Sequence, residues 1–324
     1  MFWEVSVLSL KENILKQLLK SEGAFVSGEQ LAAENSVSRN AVWKAISGLK
    51  SDGYKITSVH NRGYCLISNG NILSKTAVES YAKNKNIEVF VFDEIDSTNS
   101  YAKRMVSSGI SGPKLIIADS QTTGRGRLGR EFYSPKGTGL YLSYLYKPST
   151  DIASSVAVTS AAAVAVCRAI KETTGLQAGI KWVNDIYIEG KKVCGILTEA
   201  ITELNSEMAQ CIIVGIGINV STESFPEDLK DKAGSLNALT TDRNRLAASV
   251  VNHLEMLVDG LNKRTFIDEY RSLSIVVGKD VVFVKNGIET TGFATEIDRD
   301  GGLVVRLSDG SETVLNTGEV SVRI

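Results

Sequence analysis

Apolar positions in the first 66 residues change period twice. Ile14, Leu15, Leu18 and Leu19 recur at helical spacing and predict a helix. SGEQLAAENSVSRNAVWKAISGLKSDGY then predicts two short helices across a tight turn. The first spans 28–35, entered through Ser27 with Gln30 as its capping partner. The second spans 39–50, with Ser38 as N-cap and Gly53 as terminator. YKITSV and YCLI flank the turn HNRG and predict a hairpin, so 1–66 reads as a winged helix-turn-helix domain. Residues 67–86 read as a linker with one amphipathic helix. From 87 to 274 strands and helices alternate. The strands are VFVFDEI, KLIIADSQ, GLYLSYLY and QCIIVGIGINV, with a hairpin GIKWVNDIYIEGKKVCGILTEA turning at Glu189–Gly190. Helices are expected from Ser97/Thr98, over 153–174 and over 243–273. Hairpins outnumber βαβ units, which predicts an α+β class on a mixed or antiparallel sheet. Beyond residue 275 the helices vanish. Five short alternating runs, broken at Asn286–Gly287, Asp300–Gly301 and Asp309–Gly310, predict a small SH3-like β-barrel over 275–324.

Composition narrows the function. With 324 residues, 43% of them hydrophobic, 23% charged and 4 prolines, the chain is an ordinary globular one of two or three domains. Its net charge is −1, so any nucleic-acid surface must be local. One such patch exists: 38–66 carries Arg39, Lys44, Lys50, Lys55 and Arg62 against Asp52, a net +4. Together with the hairpin after the helix-turn-helix, that favours DNA binding over a merely solvated face. Cys65, Cys167, Cys194 and Cys211 form no CxxC pair, and the histidines are His60 and His253 alone. This disfavours a zinc site and a Ser-His-Asp hydrolase, and scattered thiols suit a reducing cytosol. MFWEVSVLSL lacks a basic leader and a cleavage site, and the run Val156–Cys167 is too short to span a bilayer. A cytoplasmic protein without membrane association is expected.

The chemistry concentrates in a few segments. TTGRGRLGR (122–130) alternates Gly124, Gly126 and Gly129 with Arg125, Arg127 and Arg130. It lacks the Gly-Lys-Ser/Thr ending of a Walker loop and the βαβ context of a dinucleotide fingerprint. The arginines can clamp phosphate or carboxylate, and the glycines allow a backbone anion nest. A solvent-exposed basic loop reads equally well from this stretch alone. Downstream, KWVNDIYIEGKKVCG is expected to place Lys181, Asn184 and Asp185 on one strand, with Lys191 and Lys192 across the turn. Ser97-Thr98-Asn99 reads either as a helix cap or as a set of ligand hydrogen bonds. GIGIN (215–219) reads either as a bulged strand or as a bare one against which a flat ligand lies.

The order STN, Q-x-x-GRGR-x-GR, KW-x-ND, KK-x-x-G, G-x-G-x-N resembles the catalytic domain of biotin–protein ligases. With the winged helix ahead of it, the whole chain resembles the bifunctional biotin–protein ligase and biotin operon repressor family of bacteria. The resemblance implies ATP-dependent formation of biotinyl-5′-AMP, with Mg²⁺ on the ATP phosphates. It implies transfer of biotin to a lysine of a biotin carboxyl carrier protein, and repression at operator DNA. It implies that Ser97, Thr98, Asn99, Gln121, Arg125, Gly126, Arg127 and Lys192 contact biotin or its adenylate, with Gly195, Leu197, Gly215, Gly217 and Asn219 around the pocket. Gly124 and Arg130 complete the loop, and Arg323 in the final EVSVR matches an arginine brought near the nucleotide. The DNA-binding segment maps to Gly28–Ser47, with Ser38, Arg39, Asn40 and Lys44 within it.

In chemical terms Arg125, Arg127 and Lys192 would offset the repulsion between a carboxylate and the α-phosphate, and Asp185 would orient the incoming lysine amine. A half-site per protomer predicts a homodimer when adenylate is bound. Departures from the family pattern are Val183 for a frequent proline, Phe132 for a tryptophan, and Leu128 for an arginine inside the loop. Two other readings stand beside this one. They are a lipoate–protein ligase, and a non-enzymatic transcriptional repressor that senses a small acid.

Overall fold

The computed structural model describes residues 9–68, 71–110, 112–148, 155–202, 209–238, 241–285, 287–316 and 320–322. It divides into two compact units, Met1–Ala82 with Asp242–Ala248, and Lys83–Thr241 with Ser249–Ile324.

In the first unit, α1 (Leu10–Lys20), α2 (Gly28–Glu34) and α3 (Arg39–Ser51) precede a hairpin of β1 (Lys55–Val59) and β2 (Gly63–Ser68). Each helix start is explained locally. Ser9, Ser27 and Ser38 accept from the backbone N–H three residues on, and Glu12 completes a capping box with Ser9. Gln30 instead donates to Glu34 Oε1, so only half of the expected box at Ser27 forms. Gly53, at φ +102°, ends the α3 region. One core gathers Ile14, Leu15, Leu18, Leu31, Val42, Ile46, Leu49 and Ile56. A fourth helix, α4 (Lys75–Tyr81), was expected within a linker, yet its Ala77 is buried in this same core, because its apolar side matches the open face of α1. Residues 242–248 belong to the unit as well: Arg243 Nε donates to Asn71 Oδ1 at 2.7 Å and Asn244 Nδ2 to the Ile72 carbonyl at 2.7 Å.

The second unit is built on a seven-stranded sheet. Its elements are β3 (Glu88–Phe92), α5 (Thr98–Ser107), β4 (Lys114–Ala118), β5 (Gly139–Tyr146), α6 (Ser155–Thr174), β6 (Gly179–Lys181), β7 (Asp185–Ile188), β8 (Lys191–Thr202) and β9 (Ala209–Asn219). The strand order is β3-β4-β5-β9-β8-β7-β6, with β3–β4 parallel and every other pair antiparallel. The sheet is therefore mixed, as expected. β5 is buried along its whole length, which suits its near-continuous apolar sequence. The Ala/Val run of α6 is buried from Val156 to Ile170 apart from half-buried Arg168, so a helix apolar on nearly all sides is here a core helix. No described helix is long and apolar enough to cross a membrane.

The helical stretch expected over 243–273 is broken. It comprises α7 (Arg243–Asp259), a short 3₁₀ turn at 261–263, and α8 (Ile267–Leu273). The expected single strand through Lys181, Asn184 and Asp185 is broken too. Lys181 ends β6, a turn carries Trp182 to Asn184 with a cis Trp182–Val183 peptide, and Asp185 begins β7 opposite Lys181. The turn at Glu189–Gly190 has φ of +49° and +77°, the primed geometry that matches strand twist.

Five C-terminal strands follow: β10 (Asp280–Lys285), β11 (Ile288–Ile297), β12 (Leu303–Arg306), β13 (Glu312–Leu315) and β14 (Val320–Val322). They form an antiparallel sheet in the order β13-β12-β11-β10-β14. Among the described residues no pairing of β13 with β14 closes this sheet into the expected barrel.

Candidate functional site

Strand register creates a floor without side chains. Gly217 on β9 faces Tyr141 on β5 and Gly195 on β8, while Gly215 faces Ser143 and Leu197. Directly opposed residues share a face, so Gly195, Gly215 and Gly217 form one bare patch. Ladder pairing is regular through 215–219, which excludes the bulge reading of GIGIN. The bare patch is occupied from above. A Cβ on Gly215 would lie 2.2 Å from Asn99 Oδ1, and one on Gly217 would lie 2.5 Å from the Phe132 ring.

The start of α5 supplies a wall. Ser97 caps the helix and is buried, as are Thr98 and Asn99. Thr98 and Asn99 then bond outward. Thr98 N–H donates to Gln121 Oε1 at 2.9 Å, and Gln121 Nε2 donates to Ser134 Oγ at 2.9 Å. Ser143 Oγ donates to Asn99 Oδ1 at 2.5 Å and lies 2.7 Å from Thr98 Oγ1. Asn99 Nδ2 donates to Glu199 Oε2 at 2.9 Å, and Lys103 Nζ lies 2.7 Å from Glu199 Oε1. A buried network satisfied in this way fixes the direction of each polar group. The two readings of Ser97-Thr98-Asn99 thus merge: Ser97 caps the helix, while Thr98 and Asn99 are aimed sideways. Just before them, Asp96 takes both Arg104 Nη atoms at 2.7 and 2.9 Å, and these bonds hold its carboxyl down to about 2.

The glycine-rich loop folds into a closed turn. Phe132 N–H donates to the Gly124 carbonyl at 2.9 Å, and Gly126 N–H to the Arg130 carbonyl at 2.8 Å. Leu128 and Gly129 take φ of +56° and +74° at its tip. A Cβ on Gly124 would lie 2.4 Å from the Phe132 carbonyl, so close backbone approach requires glycine there. Arg127 Nη1 reaches across to Asn184 Oδ1 at 2.9 Å, and Asn184 Nδ2 donates to the Ile196 carbonyl at 2.9 Å. The turn that separates β6 from β7 therefore serves as the far anchor of the loop.

Lys192 stands opposite. Its backbone is bonded on both sides by the 232–234 segment, N–H to the Lys232 carbonyl and carbonyl from Gly234 N–H, each at 2.9 Å. Its Nζ lies 2.6 Å from Asp185 Oδ1. The cleft here has a volume of about 860 Å³ and joins Arg125, Arg127, Arg130, Lys192 and Lys232 with the apolar ring of Trp182. Ser97, Thr98, Asn99, Gln121, Gly126, Asp185, Gly195, Leu197, Gly215 and Gly217 all line it. Asn219 does not; its Nδ2 donates to the Gly234 carbonyl and braces the segment behind Lys192. Gly124 shapes the loop rather than the cavity wall, and Arg323 lies outside the described residues. Sequence reasoning missed Ser143, Glu199 and Lys232. Ser143 was signalled, as the one hydroxyl serine within the apolar run GLYLSYLY.

In the winged-helix unit, Arg39, Asn40, Lys44 and Lys50 are exposed on α3, with Ser47 half-buried between them. Ser38 caps the helix, and Gly28 opens α2 against Tyr64, whose ring a Cβ would meet at 3.3 Å. Gly28 therefore packs within the unit.

Comparisons with known proteins agree with this geometry. The Biotin/lipoate A/B protein ligase family matches residues 91–219, and an HTH domain matches 11–65. The Bifunctional ligase/repressor BirA of Bacillus subtilis (strain 168) is 34% identical over 250 residues, 76% of each chain. This chain belongs to that ligase family. BirA of Escherichia coli (strain K12) is 28% identical over 311 residues, covering 94% of this chain and 95% of the relative. A solved structure of biotin protein ligase from Aquifex aeolicus, in complex with biotin and ATP, aligns with a TM-score of 0.63 and 29% identity, over 73% of this chain and 98% of that one. As a member of the family the chain carries a ligase domain and an N-terminal helix-turn-helix domain.

Proposed function

We propose that this protein activates biotin with ATP to biotinyl-5′-AMP, passes biotin to a lysine of a biotin carboxyl carrier protein, and represses transcription at operator DNA. The observation that carries the reading is the meeting of Arg127, Lys192 and the Thr98–Asn99–Gln121 network over a glycine floor in one cavity. The polar wall suits the neutral, hydrogen-bonding end of biotin, and the cations suit its carboxylate.

In the first step a biotin carboxylate oxygen attacks the α-phosphorus and pyrophosphate leaves. Both partners are anionic, so preorganised cations lower the barrier. Arg125 and Arg127 would neutralise carboxylate and phosphate oxygens, and Lys192 would bridge the reacting pair. Lys232, on the segment bonded to Lys192, adds a further positive charge to the cavity wall. In the second step the carrier amine attacks the acyl carbon and AMP leaves. Asp185 would orient that amine, and its pairing with Lys192 supports a link between the two steps.

Mg²⁺ fits as an ion held by ATP phosphates and water with one carboxylate. Glu131 and Asp185 are the carboxylates lining the cavity, and among the described residues no group of three metal-ligating side chains competes for it. Four unpaired, buried cysteines suit a cytoplasmic setting. We further propose that bound adenylate stabilises the 124–132 turn and favours a homodimer that binds DNA, by population shift.

Biotin-dependent exchange of pyrophosphate into ATP tests the activity. Exchange with biotin, its absence with lipoate, and its loss in Lys192→Ala are expected. Exchange driven by lipoate instead would make the protein a lipoate ligase, and no exchange with either acid would leave a non-enzymatic sensor. Sedimentation with and without biotinyl-AMP tests the dimer, and an unchanged association state would remove that proposal.

A further inference from the structure

Among the exposed large apolar side chains of the winged-helix unit, Trp43, Val59 and Ile67, the aromatic one lies on α3. Trp43, in the second turn of α3, is 57% exposed. Burial of an indole is a major favourable term, so an exposed one on a small domain is informative. Its surroundings have a direction. Asn40, Trp43, Lys44 and Ser47 are spaced i, i+3, i+4 and i+7 and form one stripe of α3. The other stripe, Val42, Ile46 and Leu49, is buried in the core. The exposed stripe is flanked by Arg39 at the helix start and Lys50 near its end, with Lys55 and Arg62 exposed on the wing. Arg62 is stacked 4.1 Å over the Phe25 ring, and Lys50 Nζ donates to Ser58 Oγ at 3.0 Å, so helix and wing present their charges from a fixed frame.

We infer that Trp43 reads sequence, by packing its ring against the 5-methyl group of a thymine in the major groove. This rests on the repressor reading above. The chemistry sorts the stripe into two jobs. Arginine and lysine bind phosphates and set position, without information about bases. Base edges are read by the N-terminal part of the second helix of a helix-turn-helix, which is where Trp43 lies. An indole has one donor and no acceptor, so it is poorly equipped for bidentate readout. Its apolar face instead matches the single apolar group in the groove, the thymine methyl. A phosphate-facing role would waste that face, and the cations around it already serve the phosphates.

The test uses the full chain with biotin and ATP. Binding sites are first selected from a random duplex library. Each thymine of the selected site is then replaced by deoxyuridine, which removes only the methyl. One position per half-site should lose binding about fourfold on removal of the methyl, the scale of one buried methyl-sized group. Trp43→Ala should bind the thymine site that much more weakly and show no further loss with deoxyuridine. Trp43→Phe should keep part of the sensitivity. Biotin transfer should be unchanged in both, and unchanged phosphate-driven binding of a non-specific duplex reports that the winged-helix unit folds.

Sensitivity to deoxyuridine that survives in Trp43→Ala would overturn the inference. So would a selected site with no sensitive thymine, or a Trp43-dependent preference for guanine. In each of those cases the repressor reading stands. If the library yields no preferred sequence, the repressor reading fails and takes this inference with it.

Discussion

Lys192 Nζ and Asp185 Oδ1 lie 2.6 Å apart across the β7–β8 hairpin, whose register sets Lys192 opposite Tyr187 and Asp185 opposite Gly195. The pair is partly sheltered, with side-chain exposures of 33% and 23%. It holds the one lysine of the β7–β8 hairpin that reaches the cavity wall, because Lys191 turns away to the Lys230 and Asp231 carbonyls. Lys192→Ala should lower biotin-dependent pyrophosphate exchange by about 10²–10³-fold, the usual effect of deleting one preorganised charge donor. DNA binding in the presence of added biotinyl-AMP should persist. Asp185→Asn should slow the transfer of biotin from preformed adenylate more than it slows exchange. Equal losses in the two half-reactions would confine Asp185 to holding Lys192.

Arg127 and Asn184 couple the glycine-rich loop to the β6–β7 turn through a 2.9 Å hydrogen bond. Arg127→Ala and Asn184→Ala should each speed the release of biotinyl-AMP, and the double variant should release it no faster than the worse single one. A coupling energy of about 0.5–3 kcal/mol is the range for contacting residues. Additive off-rates would show that the loop is held by other means.

Gly215 and Gly217 have no room for a methyl. Gly215→Ala would force Asn99 out of its position, since the added Cβ would lie 2.2 Å from Oδ1. Gly217→Ala would push on the Phe132 ring. Each should cost about 1–3 kcal/mol of stability through overpacking, seen as a lower melting temperature. Calorimetric titration should show a larger loss of biotin affinity for Gly215→Ala, because that change also breaks the Asn99–Ser143 bond. Unchanged biotin binding in both would mean that the floor is only structural.

The Asp96–Arg104 pair should make part of the stability depend on acid pH. The hydrogen bonds from Arg104 hold its carboxyl down to about 2, below the ordinary aspartate range near 4. A depressed carboxylate contributes stability at pH values above its unfolded pKa, and that contribution is lost as pH falls from about 4 to about 2. Both partners are substantially exposed, at 55% and 42%, so the effect is modest. In thermal melts from pH 2 to 6, the gap between wild type and Asp96→Asn should be constant above pH 4.5 and close below it. A gap that widens in acid would contradict this assignment.

Much of the fold follows from local signals. Ser27, Ser38 and Ser97 mark helix starts that the structure realises, because a cap needs only a hydroxyl and the next turn of backbone. The turn at Glu189–Gly190 was legible for the same reason. The break after Lys181 was not: KWVNDIYI is apolar enough for one strand, and only its packing beneath α8 and the C-terminal sheet bends it, with Tyr270 OH on the Val183 carbonyl and Trp182 Nε1 on the Gly301 carbonyl. An amphipathic helix was legible within 67–86, but not the burial of its Ala77 in the core of α1 and α3, because that fit depends on shapes far apart in sequence.

The sequence by itself determined the kinds of group available: an arginine-and-glycine loop, an amide-and-hydroxyl trio, a lysine after a hairpin turn, and a basic helix and wing. It also determined where most helices begin, since those signals act over three or four residues. Tertiary structure alone decided that Gly195, Gly215 and Gly217 lie side by side, that Ser143 and Glu199 aim Asn99, and that Asn219 braces the segment behind Lys192. Each of those depends on strand register or on contacts between residues tens of positions apart. No local pattern encodes them, because one step of register would turn the glycine floor to the opposite face of the sheet.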